Sequence, residues 1–350
     1  MNTVGTRIKL TLTGASHAPS VGFILCGLPK GLSVDLDGVM TDLARRSAKN
    51  HSFATKRREA DDFVIASGIM GGVTDGGPIR VSFPNREHLR SEYRLIARPS
   101  HADYAAFVKS GGREDISGGG KYSGRMTLPL TFAGSLCRGF LKEKGVEVFG
   151  HVAAIGSAAD APFDPMMTEK PALDTFFPLV DPSKRAEMEA ALLEAHAAGD
   201  TLSCEAETAV LGLPAGFGEP LFDGLEGTLA KYLFMIPGLR ALEFGEIAER
   251  GSLMNDGFTW DGRTVTNNSR GINGGMANGM PVMFRARFRP VPSVKLPQTG
   301  YDLLENRPVP LEICGRHDVC ILPRGLAAVE AAACLALTDL WLMGEANENG

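Results

Sequence analysis

Alternating apolar and polar positions mark the predicted strands of this chain. The clearest pattern covers residues 282–289, where apolar side chains face one way and three arginines face the other. Successive side chains of a strand point to opposite faces, so this pattern predicts a strand with one buried face. Residues 6–13 alternate in the same way, and shorter strands are predicted at residues 63–69, 78–83 and 201–211.

Apolar residues spaced three and four positions apart predict helices elsewhere. Residues 35–46 follow this spacing after Asp35, a residue type that often caps helix N-termini. Residues 128–142 form a second predicted helix. A third is predicted to begin at Asp181, which precedes a proline, and to end before Gly199.

The last predicted helix, residues 324–343, is apolar on nearly every face. Glu330 and Asp339 interrupt it, so it is interpreted as a helix enclosed by the protein rather than a membrane span. Helices and strands follow one another without a regular βαβ alternation. The pattern therefore favours a single α+β domain over residues 1–350.

Composition narrows the classes of function. The chain has 350 residues, 44% of them hydrophobic and 22% charged, and its formal net charge is −5. An acidic chain is not expected to bind nucleic acid through bulk charge, because phosphate backbones are bound by an excess of Lys and Arg. The six cysteines have no framework spacing and the start of the chain has no secretory signal, so we expect reduced thiols and a cytoplasmic location.

Two loop segments each present a histidine beside residues that favour turns. His17 lies in the segment 14–19, directly after the first predicted strand, where binding residues often collect. His101 lies in the segment 98–104, with Asp103 two residues away as a candidate orienting partner. Either histidine could instead be a loop residue bonded to nearby backbone.

The glycine-rich segment 117–125 resembles a phosphate-binding loop in its chemistry. Three consecutive glycines allow backbone N–H groups to face an anion, Lys121 and Arg125 add positive charge, and a predicted helix follows. It is not a Walker A loop, because Tyr122 occupies the position after the lysine. The alternative is a plain flexible loop.

A fourth segment, residues 315–320, precedes the last helix. Arg316 could clamp an anion there, and Asp318 could act as a base or orient one. Cys314, His317 and Cys320 lack a fourth ligand and paired spacing, so no metal site is expected. Together with basic residues near positions 45–58, these segments predict a site for a small, multiply anionic ligand, with groups that can move protons.

Taken in order along the chain, these segments resemble the motifs of the chorismate synthase family. The matching stretches lie at residues 14–18, 98–103, 118–125, 278–281 and 315–320. The resemblance implies an α+β fold with helices sandwiched between antiparallel β-sheets, assembled as a homotetramer. It also implies the conversion of 5-enolpyruvylshikimate 3-phosphate to chorismate and phosphate, an anti-1,4-elimination that uses reduced FMN.

The resemblance assigns roles to individual residues. His17 would protonate or neutralise the leaving phosphate, His101 would protonate or stabilise the reduced flavin, and Asp318 would help the flavin accept the ring proton. It implies substrate contacts for Arg45, Arg46, Arg57 and Arg125. It implies FMN contacts for Lys121, Ser123, Gly274, Arg289, Ser293 and Arg316.

The chain also departs from the family pattern. Ala15 replaces a glutamate, Lys121 an arginine, Tyr122 a serine and Arg270 a glycine. A lysine keeps the charge of an arginine but not its bidentate geometry. The alternative function is therefore a diverged paralogue that binds flavin or a phosphorylated metabolite without this elimination. No G-x-G-x-x-G follows a strand, so we expect FMN to be reduced by an external reductant.

Overall fold

The computed structural model describes residues 2–51, 61–85, 95–113, 117–245, 247–313 and 317–348. Strands and helices are numbered in chain order. The α-helices are α1 (Leu36–Arg46), α2 (Asp103–Ser110), α3 (Thr127–Glu143), α4 (Arg185–Ala198), α5 (Leu225–Leu233), α6 (Gly251–Met254) and α7 (Leu326–Glu348).

The caps predicted for two helices are present. Asp35 caps α1, and its Oδ1 accepts a hydrogen bond of 2.8 Å from the backbone N–H of Gly38. Gly199 follows α4 with φ of 70°, the left-handed conformation that glycine adopts readily at helix ends. The segment after Asp181 is a 3₁₀ turn, Pro182–Lys184, so α4 proper begins at Arg185.

Two five-stranded antiparallel sheets contain most of the strands. The first has the order β1-β2-β3-β7-β4, and the second has the order β10-β9-β11-β15-β12. The strands of the first sheet are β1 (Thr3–Val4), β2 (Lys9–Gly14), β3 (Ser20–Cys26), β4 (Val64–Ser67) and β7 (Ile79–Pro84). Those of the second are β9 (Glu147–Ile155), β10 (Ala158–Ala159), β11 (Cys204–Leu211), β12 (Leu239–Phe244) and β15 (Val282–Phe288).

The remaining strands form small sheets at the periphery. A three-stranded sheet has the order β17-β16-β8, and two hairpins pair β5 with β6 and β13 with β14. Their bounds are β5 (Ile69–Met70), β6 (Val73–Thr74), β8 (Ile96–Ala97), β13 (Ile272–Asn273), β14 (Met276–Ala277), β16 (Gln298–Asp302) and β17 (Arg307–Leu311).

Helices α3 and α7 lie between the two large sheets. Helix α3 contacts β2, β3 and β7 of the first sheet, α7 contacts β9 and β11 of the second, and the two helices pack against each other. Residues 326–346 of α7 are long enough to cross a membrane and contain an 18-residue window with a mean hydropathy of 1.7, but 89% of that window is buried in the fold. This is the burial expected of a core helix. The predicted α+β fold, with helices sandwiched between antiparallel sheets, is confirmed.

Asp339 on α7 forms hydrogen bonds with the backbone near the beginning of the chain. Its carboxylate accepts hydrogen bonds from the backbone N–H groups of Thr6, Arg7 and Ile8, at 2.7–3.1 Å. It also accepts a 2.9 Å bond from the Tyr232 hydroxyl. Asp339 is only 2% exposed, and these donors offset the cost of burying its charge.

Glu330, the other acidic residue of α7, is the centre of a buried charge network. It forms two hydrogen bonds with the Arg45 guanidinium at 2.6 and 2.7 Å, and it accepts further bonds from Arg138 and the Gly150 N–H. Burial alone would raise the pKa of Glu330, but the two arginines lower it to about 2. Both acidic interruptions of this apolar helix therefore have buried partners.

A second buried charge cluster lies at β9 and β11 of the second five-stranded sheet. The His151 ring is fully buried, with Nδ1 2.9 Å from Asp160 Oδ2 and Nε2 3.0 Å from Glu207 Oε2. Burial lowers the pKa of His151, but the two carboxylates outweigh burial and raise that pKa above its ordinary value. Glu207 also pairs with Arg285, which lies opposite it on β15.

We predict that His151→Gln destabilises the protein by about 3 kcal/mol at pH 6, because two buried carboxylates lose their charged partner. A raised pKa in the folded state means that this contribution is complete below the unfolded pKa of about 6.5. It is lost as the pH rises through the folded value. Urea unfolding of wild type and variant from pH 6 to 9 should show their free energies of unfolding converging; a difference that grows with pH would contradict this assignment.

Candidate functional site

A cavity of about 1020 Å³ lies where loops from both large sheets meet the start of α7. Among the described residues, seven basic and three acidic side chains line it, an excess of four positive charges, although the formal net charge of the whole chain is −5. The basic residues are Arg46, Arg98, Lys109, Lys121, Arg125, Arg289 and Arg324, and the acidic ones are Asp61, Asp103 and Asp318. Such local charge attracts small anions even to an acidic protein.

The His17 loop and the glycine-rich loop are packed directly together. The backbone N–H of Ser16 donates a 3.1 Å hydrogen bond to the carbonyl of Gly120. Gly118 has φ of +58°, and a Cβ there would lie 2.0 Å from Nε2 of His17. Only glycine leaves room for the imidazole at that position. The first and third motifs of the sequence therefore form one wall of the cavity.

Arg46 and Arg125 share a single carboxylate on that wall. Arg125 binds Asp61 at 2.6 Å, whereas the guanidinium of Arg46 lies 3.6 Å from the same carboxylate. Arg46 also donates to Thr127 Oγ1 at 3.0 Å. Burial, followed by repulsion from Arg324 and Arg125, lowers the pKa of Arg46 to about 9 despite the attraction of Asp61. Positive charge thus exceeds negative charge here, which favours binding of an anion.

His101 is held by two hydrogen bonds and not by the expected carboxylate. Its Nδ1 lies 2.9 Å from the carbonyl of Pro99, so Nδ1 carries the proton and donates. Nε2 lies 3.0 Å from Ser293 Oγ and accepts from that hydroxyl. Asp103 instead binds the Arg98 guanidinium at 2.7 and 3.0 Å, so the prediction that Asp103 orients His101 is wrong.

Electrostatics favour the neutral form of His101. Burial, followed by the positive charge of Arg98, lowers the pKa of His101 below its ordinary value. An anionic ligand in the cavity would oppose this effect and favour the protonated form. The protonation state of His101 can therefore change when an anion binds in the cavity.

Asp318 also lines the cavity, close to the beginning of α7. Both of its carboxylate oxygens accept hydrogen bonds from the Arg324 guanidinium, which fixes the carboxylate orientation. His317, its neighbour, also lines the cavity, and burial together with Arg98 lowers the pKa of that imidazole. All three predicted catalytic residues thus line one cavity, although they are spread over 300 positions of sequence.

Four of the residues predicted to contact FMN line the same cavity: Lys121, Ser123, Arg289 and Ser293. Ser123 Oγ accepts a 3.2 Å hydrogen bond from the Arg125 N–H, and the Lys121 ammonium lies 5.4 Å from the Tyr122 ring centroid. Within the described ranges, the Arg289 guanidinium has no hydrogen bond or ion pair. Burial, followed by the positive charge of Arg240, lowers the pKa of Arg289.

Other predicted site residues are not brought to the cavity. Arg45 is held by Glu330, so its prediction as a substrate ligand is corrected to a structural role. Gly274 lies in the turn between β13 and β14 and does not line the cavity. Arg57 and Arg316 lie outside the described residues.

The cysteine-based metal alternative gains no support from the described residues. Cys320 is buried, and its hydrogen bond with Cys204, together with burial, raises the pKa of the Cys320 thiol well above its ordinary value. Cys314 lies outside the described residues. Elsewhere in the described chain, no group of three His, Cys, Asp or Glu residues is placed to hold a metal ion.

Three residues that line the cavity or support its loops were not predicted as site residues from the sequence. Asp61 neutralises Arg125, Arg324 holds Asp318, and Asn85 binds the backbone around His17. Asp61 follows a run of basic residues and Arg324 follows a proline before the last helix, so both positions carried a weak signal. Asn85 carried none, because a single asparagine after a strand usually indicates a turn.

Comparison with known proteins gives a consistent result. The family model described as chorismate synthase matches residues 8–342. Chorismate synthases from Dehalococcoides mccartyi and Thermococcus gammatolerans are each 38% identical to this chain, over 97% and 98% of its length and 96% and 98% of theirs. A solved structure described as chorismate synthase superposes with a TM-score of 0.75 at 22% identity, covering 97% of this chain and 93% of that one, and supports the fold.

The family match spans every predicted motif that lines the cavity, from the strand before His17 to α7. Identity above 30% over nearly the full length of both chains excludes a resemblance confined to one motif. This chain belongs to the chorismate synthase family.

Proposed function

We propose that this enzyme converts 5-enolpyruvylshikimate 3-phosphate to chorismate and phosphate by anti-1,4-elimination, with reduced FMN as cofactor. The observation that carries the proposal is the cavity with seven basic side chains, into which His17, His101 and Asp318 all face. The substrate has two carboxylates and a phosphate, and FMN adds a second phosphate. Several fixed cations are needed to hold four anionic groups in one site.

The wall formed by Arg46 and Arg125 is suited to the substrate. Asp61 neutralises only part of their charge, so the two guanidinium groups can bind phosphate or carboxylate oxygens. His17 lies on the same wall and would protonate the phosphate as it leaves. Asp318, whose carboxylate is oriented by Arg324, would assist removal of the ring proton.

The remaining cavity residues fit a flavin phosphate. Arg289, Lys121 and the Ser123 hydroxyl would bind FMN, and Ser293 would act together with His101, to which it is bonded. When bound, reduced FMN supplies an electron-rich flavin that assists departure of the phosphate. His101, neutral in the free protein, would take up a proton as the negative charge of the cofactor raises its pKa.

The diverged-paralogue alternative is not favoured. The family match runs through every motif, and the catalytic candidates His17, His101 and Asp318 line one cavity in spite of the substitutions Ala15, Lys121 and Tyr122. We further propose a cytoplasmic homotetramer whose FMN is reduced by an external reductant.

The direct test is anaerobic. Purified protein with chemically reduced FMN and 5-enolpyruvylshikimate 3-phosphate should release chorismate and phosphate in equal amounts. A folded protein that binds FMN yet releases neither product would overturn the proposal.

Arg125→Lys sharpens this test, because lysine keeps the charge but loses the bidentate geometry. We expect the KM for substrate to rise about tenfold or more, since a charge-assisted hydrogen bond contributes about 1.5–3 kcal/mol. Arg307→Lys is the matched control, because Arg307 is exposed, pairs with Glu305 and does not line the cavity. An unchanged KM in Arg125→Lys would remove Arg125 from the substrate site.

A further inference from the structure

Asn85, the residue that follows β7, is 3% exposed and lies directly beneath the His17 loop. Its side-chain Nδ2 donates to the backbone carbonyls of Ala15, Ser16 and Ala18 at 3.2, 3.3 and 2.7 Å. These carbonyls flank His17 on both sides. One amide therefore holds the backbone on either side of the imidazole.

The other end of the same amide contacts Arg125, on the cavity wall formed by Arg46 and Arg125. Asn85 Oδ1 accepts a 3.2 Å hydrogen bond from Nε of Arg125, and the backbone N–H of Asn85 donates to the carbonyl of Pro19 at 2.9 Å. Because Nδ2 faces carbonyls and Oδ1 faces a guanidinium, only one orientation of the amide satisfies both ends. In an aspartate at this position, a carboxylate oxygen would replace Nδ2 and would be repelled by the loop carbonyls.

We propose that Asn85 is a positioning residue that fixes His17 relative to Arg125. The inference rests on the proposed function, in which Arg125 binds the anion that His17 protonates. A proton donor must lie within hydrogen-bond reach of the leaving oxygen, and a misplacement of about 1 Å can lower the rate about 10²-fold. Asn85 would not touch the reacting atoms itself. It would set the distance between His17, through the backbone of its loop, and Arg125, through a direct hydrogen bond.

The test is a double-mutant cycle with His17→Ala. We expect Asn85→Ala, and the nearly isosteric Asn85→Asp, to lower kcat about 10–100-fold in the wild-type background. In the His17→Ala background, where there is no imidazole left to position, each should lower kcat by less than about threefold. Equal fold-changes in the two backgrounds, or a wild-type kcat in both single variants, would overturn the proposal.

Asn267→Asp is the matched control. Asn267 is also buried, at 2% exposure, and its amide donates to the carbonyls of Pro165 and Pro281, but it does not line the cavity. Its substitution should lower the Tm, and any effect on kcat should be the same with and without His17.

A second measurement separates this proposal from the proposed function. In protein labelled with ¹³C at histidine Cε1, Asn85→Asp should shift the His17 resonance, while the resonance of buried His151 stays in place. If the wild-type chain forms no chorismate, the proposed function fails, yet a shifted His17 resonance still supports positioning by Asn85. An unchanged His17 resonance overturns it.

Discussion

His17→Ala is expected to lower kcat by about 10²–10⁴-fold, the range typical of a general acid or base. The side chain projects from a loop whose backbone is held by Asn85 and Gly120, and neither contact involves the imidazole. The fold and the cationic cavity should therefore persist, and FMN should still bind. Loss of rate without loss of binding is the result expected when a proton donor is removed from a preformed site.

Steady-state chorismate formation, with thermal unfolding and FMN fluorescence measured in parallel, checks this prediction. His101→Ala should fall in the same range, because it removes a group bonded to Ser293 inside the same cavity. His196→Ala is the control, since His196 is exposed near the end of α4 and does not line the cavity. Near-normal kcat in both cavity variants would show that neither histidine moves a proton in the rate-limiting step.

Glu330→Gln is expected to lower the free energy of unfolding by about 3–5 kcal/mol, the usual cost of removing one partner from a buried ion pair. The amide keeps the volume of the side chain but removes the more buried of the two carboxylates, Glu330 and Asp42, that Arg45 and Arg138 share. The packing of α7 against the second sheet should weaken with it, because the Gly150 N–H on β9 also donates to Glu330.

Urea unfolding at pH 7 measures the loss. Glu345→Gln is the control on the same helix, since its pair with Lys144 is partly exposed and should contribute less than about 1 kcal/mol. The pKa of Glu330 lies at about 2, below its unfolded value near 4.5, so its stabilisation persists at neutral pH and is lost only as the pH falls toward 2. A loss no larger than that of Glu345→Gln would mean that the network does not stabilise the fold.

Local chemistry explains why the secondary structure could be predicted from the sequence. The Asp35 cap, the left-handed Gly199 and the alternation at residues 282–289 each act over a few positions, and the structure reproduces all three. Two of the alternating arginines, Arg285 and Arg287, pair with Glu207 and Glu205 of the neighbouring strand β11, whereas Arg289 lines the cavity.

Long-range pairing explains why the roles of some residues could not be predicted from the sequence. Arg45 and Arg46 are adjacent and chemically identical, but a helix turns about 100° per residue, so one meets Glu330 on α7 and the other lines the cavity. Asp103 is close to His101 in sequence, yet its carboxylate binds Arg98. The roles of these residues depend on partners that only the fold determines, and no local pattern records them.

The bond between Asp339 and the Ile8 N–H joins residues 331 positions apart and has a consequence for biosynthesis. During translation the first sheet leaves the ribosome long before α7, whose Asp339 binds the backbone just ahead of β2. The space between the two sheets, which α7 shares with α3, therefore stays open until residues 326–348 have emerged. Apolar surface that packs on α7 in the finished fold is exposed while the preceding residues are synthesised.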